Sequence, residues 1–178
     1  MIIQTKRFGE VNITEGERIE IPQGILGFPE YREFCLVDPG DDTLILWLQS
    51  LKEPSLALPV LEPKIFSPEY SFKLTSNELR ELKIESMNDA AVFSVLTIPE
   101  DITGMTANLK APLVLNRKQQ IAKQIVLQES KYPIKHPMFK ELRRHLVTIE
   151  AHKRNAENYA GAVSVRDLSP SNVCEPIL

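Results

Sequence analysis

Apolar residues come in short bursts along this chain, with turn-forming residues between them. Residues 2–6 and 11–13 flank a Phe8-Gly9 break, and 18–21 reads R-I-E-I before Pro22. Residues 34–37 stop at Asp38-Pro39-Gly40-Asp41, 44–48 form a dense apolar run, and 56–61 form another after Glu53-Pro54. Residues 91–98 stop at Pro99, and 112–115 and 121–127 close the series. Apolar segments of about 4–8 residues, spaced about ten apart, predict an all-β sandwich or barrel. Helices of about 10–15 residues between the strands would predict a parallel α/β fold, and that pattern is missing.

Two places break the strand pattern. Thr75-Ser76-Asn77-Glu78 is a capping-box sequence, in which the hydroxyl caps the first turn and the Glu reaches back. Leu79, Leu82 and Ile84 would give that short helix an apolar side. The second place is 137–158, where Phe139, Leu142, Leu146 and Ile149 recur at helical spacing and make one apolar stripe. Glu150 precedes Arg154 by four, the favourable order for a helix pair. The stripe is expected to dock on the chain's own strands, or otherwise to pair with another chain. Residues 161–178 read as a loop-like tail.

Composition sharpens this division. Of 13 prolines in 178 residues, 11 lie in 1–137 and none between Met138 and Ser169. Proline interrupts helices, so the first 137 residues cannot be a helical bundle, whereas 138–169 can be helical. The expectation is a mainly β chain. Residues 1–137 form a compact β-barrel-like domain of short antiparallel strands with one short helix; 138–160 form an amphipathic C-terminal helical extension, and 161–178 the tail.

The net charge of −3 hides an asymmetry. Residues 1–104 carry 9 Lys/Arg and 18 Asp/Glu, whereas 105–178 carry 12 and 6. An acidic front half repels phosphate and suits a basic protein partner, although an unevenly charged solvated surface gives the same count. Residues 110–154 hold 11 Lys/Arg against Glu129, Glu141 and Glu150. That is an electrostatic footprint for RNA, yet Tyr132 and Phe139 are its only aromatics for stacking. An RNA-binding regulator using 110–154 is therefore the alternative reading.

Catalytic chemistry is hard to find. His136, His145 and His152 have no metal-ligand spacing, and Glu141 four residues before His145 reads as a helix-surface ion pair. Cys35 and Cys174 lie far apart with no C-x-x-C partner, so a reducing compartment is expected. No G-x-S-x-G or Walker A motif occurs, and Gly24-Ile25-Leu26-Gly27 does not match a dinucleotide fingerprint. The acidic pair Asp41-Asp42 sits in a Pro-Gly turn. An enzyme is not expected, a hydrolase without a recognisable motif being the remotest reading, and neither is a cofactor. The first residues lack the apolar core of a signal peptide, and no apolar run is long enough for a membrane span.

Several phrases are specific as an ordered set. They are Met1-Ile2-Ile3-Gln4-Thr5-Lys6 with Phe8-Gly9, Gly24-Ile25-Leu26-Gly27-Phe28-Pro29 closing on Phe34, and Leu48-Gln49-Ser50. Pro63 and Pro68-Glu69-Tyr70 follow, then the run 106–116, T-A-N-L-K-A-P-L-V-L-N, and Ala122-Lys123-Gln124. Over residues 1–139 the chain resembles the bacterial flagellar assembly factor family, FliW. The resemblance implies a β-barrel-like fold, no catalysis, and a cytoplasmic switch between two protein partners. FliW-like proteins bind flagellin. When free of it they bind CsrA, the repressor on the flagellin mRNA leader, at a site away from its RNA surface, and so relieve repression. No direct nucleic-acid or membrane contact is implied. Residues 140–178 depart from the family pattern.

Individual residues carry distinct expectations. Gly24 and Gly27 supply turn dihedrals closed to other residues. Phe28 reads as a plug inside the barrel, with an exposed anchor as the alternative. Gln49 satisfies backbone groups at the end of a buried strand. Asn108, Leu109, Pro112 and Asn116 fix a turn and an edge strand, since proline cannot donate to a ladder. Edge strands accept partner strands, so Asn108–Asn116 with Ile121 and Ile125 is the expected partner contact. Glu15, Glu17 and Glu20 are the expected acidic contacts with a basic partner.

Overall fold

The computed structural model describes residues 1–40, 44–128 and 131–144. These contain eleven strands: β1 (Ile2–Thr5), β2 (Gly9–Asn12), β3 (Ile19–Glu20), β4 (Glu33–Val37), β5 (Leu46–Ser50), β6 (Ala57–Leu61), β7 (Ala90–Thr97), β8 (Thr106–Ala107), β9 (Leu113–Asn116), β10 (Ile121–Gln124) and β11 (His136–Pro137). One short helix, α1 (Ser76–Glu81), lies between β6 and β7, and residues 139–144 are helical.

Seven strands close a barrel in the order β7-β6-β5-β4-β3-β10-β9, with β9 returning to β7. An odd number of strands cannot alternate direction all the way round, so one contact must be parallel. It is β3–β10, where Ile121 pairs with Glu20, and the other six barrel contacts are antiparallel. The expected barrel of short antiparallel strands is found, with this one parallel seam.

Side chains alternate with period two across the barrel wall. Ile19 and Ile21, Phe34, Leu48, Val60, Leu113 and Leu115 point inward and form the central core. The intervening residues face outward onto three satellite clusters. Cys35 and Val37 of β4 pack under Ile3 and Ile13 of the β1–β2 hairpin. Val114 of β9 packs with Leu82 and Ile125 on the α1 side. Leu61 of β6 and Leu96 of β7 pack with Tyr70, Met105 and Leu109. Met138 and Leu142 join this last cluster, and the Leu142 amide donates to the Met138 carbonyl oxygen at 2.9 Å. The first turn of the predicted stripe thus docks on the chain's own barrel. Its Leu146 and Ile149, and the tail 161–178, lie outside the described residues.

Local chemistry explains the short elements. The Thr75 amide donates to the Glu78 carboxylate at 2.6 Å and the Glu78 amide to the Thr75 hydroxyl at 3.2 Å, completing the predicted capping box. Pro59 stands inside β6 opposite Trp47. β6 pairs with β7 only from Val60 onward, so the missing proline N–H removes no ladder bond.

Candidate functional site

The run 108–116 is spent on the fold. The Asn108 carboxamide oxygen accepts from the Lys110 and Ala111 amides at 3.1 and 3.0 Å, setting the turn before β9. Leu109 is buried, and its carbonyl accepts the Tyr70 hydroxyl at 2.8 Å. Asn116, only 1% exposed, makes four bonds. Its oxygen accepts from the Lys118 and Gln119 amides at 3.0 and 3.1 Å. Its Nδ2 donates to the Leu82 and Lys83 carbonyls at 2.9 and 2.8 Å.

The expected edge strand is therefore corrected. β9 is flanked by both β7 and β10 and closes the barrel. Pro112 lies one residue outside the ladder, where its carbonyl accepts from the Ile125 amide at 2.8 Å. Ile125 is buried against Leu82 and Val114, and Ile121 is half-buried beside them. Leu109, Pro112, Asn116 and Ile125 present almost no side-chain surface.

The loop between β3 and β4 is the more exposed apolar feature. The Gly24 amide donates to the Ile21 carbonyl, and the Phe28 amide to the Ile25 carbonyl at 2.7 Å. Gly24 and Gly27 have φ of 67° and 90°. Ile25 fills the core, whereas Phe28 is 37% and Leu26 56% exposed. Phe28 does not plug the barrel. The turn sends Ile25 inward in its place, and Phe28 faces outward. Leu26 has no sequence signal beyond its place between two glycines of one turn. Gln124 holds this loop, its carboxamide oxygen accepting the Leu26 amide at 2.9 Å while its nitrogen donates to the Ala111 carbonyl at 3.0 Å.

The three acidic residues are all exposed and differ in their partners. Glu15 is exposed and sits 3.8 Å from Arg18. Glu17 turns back on Thr14, whose amide donates to it at 2.7 Å, and this bond holds its carboxyl below the usual range. Glu20 is exposed on β3, opposite Glu33, which is bonded to Arg18 and, at 2.8 Å, to Lys52. The Lys52 contact lowers the Glu33 pKa most. Two bases thus partly neutralise this acidic surface.

Gln49 is fully buried. Its Nε2 donates to the Ser50, Leu56 and Glu53 carbonyls at 2.9, 3.1 and 3.3 Å, tying off the turn after β5. In the basic segment, Lys123 pairs with Glu81 at 2.5 Å, and Arg117 donates to the Asn88 carbonyl at 2.9 Å. Among the described residues no group of acidic, histidine or cysteine side chains can hold a metal, and no helix is long and apolar enough to cross a membrane.

Comparison with known proteins shows what the whole chain is similar to. The sequence model of the FliW protein family matches residues 2–138. The flagellar assembly factor FliW of Bdellovibrio bacteriovorus is 43% identical over 147 residues, spanning 83% of this chain and 84% of that protein. The flagellar assembly factor FliW of Bacillus subtilis is 40% identical over 138 residues, spanning 78% and 96%. A crystal structure of the flagellar assembly factor FliW superimposes with a TM-score of 0.74 at 34% identity, covering 78% of this chain and 97% of that one.

Proposed function

The chain belongs to the FliW family of flagellar assembly factors, and from that premise we propose that it binds flagellin in the cytoplasm and, when free, binds CsrA. Binding CsrA away from its RNA surface relieves repression of flagellin synthesis. Family membership across residues 2–138 carries this reading. The module proposed to bind is residues 1–137; most of the expected helix 138–160 and all of the expected tail 161–178 lie outside the described residues.

The physics of the switch is linkage. A ligand that takes one form of a protein shifts the balance by RT ln(1 + [L]/Kd), so flagellin concentration sets how much free protein remains for CsrA. Two distinct sites on CsrA coupled in this way make the control allosteric. The exposed Phe28 supports the reading, because aromatic residues are enriched at protein interfaces. Glu15, Glu17 and Glu20, all exposed, suit a basic partner such as CsrA and would act mainly on its association rate.

Co-purification with the host's flagellin and CsrA, separately and together, tests the proposal. Flagellin should displace CsrA, and the charge reversals Glu15→Lys, Glu17→Lys and Glu20→Lys should slow CsrA association at low salt. Tight binding of leader RNA that collapses between about 50 and 200 mM salt, with no binding of CsrA, would refute it.

A further inference from the structure

We propose that the loop 22–29 and the apolar hollow beside it form a docking surface for a basic protein partner, with Leu26 as its anchor. The hollow has a volume of about 260 Å³, and Pro22, Leu82, Ile121 and Ala122 give it apolar lining. Leu26 stands next to it, because its amide is bonded to Gln124, the residue that follows Lys123 of the hollow along β10. The Leu26 side chain is 56% exposed, and Phe28, two residues on, is 37% exposed.

The loop holds these side chains in place before any partner arrives. The Gly24 and Phe28 amides close it on the Ile21 and Ile25 carbonyls at 2.8 and 2.7 Å, and the Gln124 side chain fastens it to the barrel. Apolar side chains presented on a fixed turn need little ordering on binding. Once a partner encloses them, a few such anchors carry most of the energy of an interface. Leu26 belongs to none of the core clusters, whereas its neighbour Ile25 does.

Charge selects the occupant. Residues 19–31 hold Glu20 and Glu30 and no Lys or Arg. Both carboxylates are exposed, and neither is ion-paired among the described residues. The bases flanking this stretch are Arg18, bonded to Glu33, and Arg32. Lys123 is already paired with Glu81 at 2.5 Å. Nucleic acid would be repelled by Glu20 and Glu30, and a second copy would bring the same carboxylates face to face. A small molecule would fill the hollow and leave Leu26 and Phe28 in water. What fits is a protein surface with an apolar side chain for the hollow, a cleft for Leu26, and Lys or Arg around them. The inference rests on the function proposed above and assigns this patch to CsrA, its basic partner.

The test measures binding of the host's purified CsrA and, separately, its flagellin to the full chain. Leu26→Asp should weaken CsrA binding about tenfold or more. Ile102→Asp, at a side chain of similar exposure, 54%, on the loop between β7 and β8, should bind like the parent. Glu30→Lys should slow CsrA association at low salt, with the difference vanishing at about 1 M salt, where exposed charges are screened. Should Leu26→Asp unfold, as judged by circular dichroism, a photo-crosslinking residue at Gln23 decides instead. It should couple the chain to CsrA, and one at Ile102 should not. The proposal is overturned if folded Leu26→Asp binds CsrA like the parent, if Ile102→Asp loses as much, if Glu30→Lys leaves the low-salt rate unchanged, or if only flagellin binding falls. A parent chain that binds neither protein refutes the function proposed above, which separates that failure from these.

Discussion

Replacing Gly24 and Gly27 by alanine, one at a time, separates two costs that usually arrive together. Both glycines have φ in the left-handed region, where a Cβ costs roughly 1–2 kcal/mol. Alanine recovers about 0.4–1 kcal/mol by restricting the unfolded chain. That leaves Gly27→Ala at about 1 kcal/mol, because nothing lies within 4 Å of its added Cβ. At Gly24 the same Cβ would stand 2.6 Å from the Pro29 Cα and 2.7 Å from the Phe28 and Pro29 carbonyl oxygens. These are backbone atoms of the same turn and cannot swing aside like a side-chain tip. Overpacking of this kind adds typically 1–3 kcal/mol. Gly24→Ala should therefore lose about 2–4 kcal/mol, some 1–3 more than Gly27→Ala. Guanidinium titration followed by tryptophan fluorescence measures both, the comparison holding if the slope m is unchanged. Equal losses at the two positions would refute the steric argument, and a gain at Gly24 would refute the left-handed argument as well.

Three further outcomes follow from buried polar groups. Asn116→Ala strips two carbonyls and two amides of partners at a fully buried position. It should cost about 3 kcal/mol or more, at roughly 1–3 per orphaned buried group, read by the same titration. Glu62 is half-buried, and desolvation pushes its carboxyl up, partly offset by Lys64 and Arg117. A carboxyl raised in the folded state loses stability as pH rises from its unfolded pKa through its folded one. Glu62→Gln should thus raise Tm at pH 7 and lose that advantage below about pH 4, near the ordinary carboxyl value; a lower Tm at pH 7 would contradict it. Burial raises the Cys35 thiol to about 11, so a thiol reagent at pH 7.5 should not label Cys35 until the chain unfolds; mass spectrometry of the labelled peptide decides.

The strand pattern is legible because most barrel strands put one face on the core and the other on a satellite cluster. Dense apolar runs such as 44–48 and 112–115 therefore mark strands without marking their neighbours. Two strands are too short to see. β8 and β11 are two-residue pairings of Thr106–Ala107 with His136–Pro137, below any periodicity. The capping box at Thr75 is readable since both partners lie within one turn and a helix follows. Its twin at Thr14 and Glu17 leaves no such trace, because only a three-residue turn comes after it. Pro112 misleads for a physical reason: a missing N–H argues for an edge only inside a ladder, and here it stands just before one. Asn116 looks like a turn residue and is one, but its two bonds to Leu82 and Lys83 span more than thirty residues and follow from tertiary closure alone.

Closure by seven strands ties the fold to its exposed surface. The one parallel contact required by odd parity is a single residue pair, Ile121 with Glu20, supported by the Glu20 amide on the Gln120 carbonyl at 2.8 Å. Beyond Ile121, β3 ends at Glu20 and no barrel strand continues along β10 on that side. The chain covers the gap with the loop carrying Leu26 and Phe28, held there by the Gln124 side chain in place of a ladder. A side-chain tie replaces backbone pairing at the place where an odd barrel is hardest to close. The loop must turn tightly enough to bring Phe28 back against Ile25, which is why Gly24 admits no side chain. The parity of the strand count thus places the exposed apolar loop beside the one seam where backbone pairing runs out.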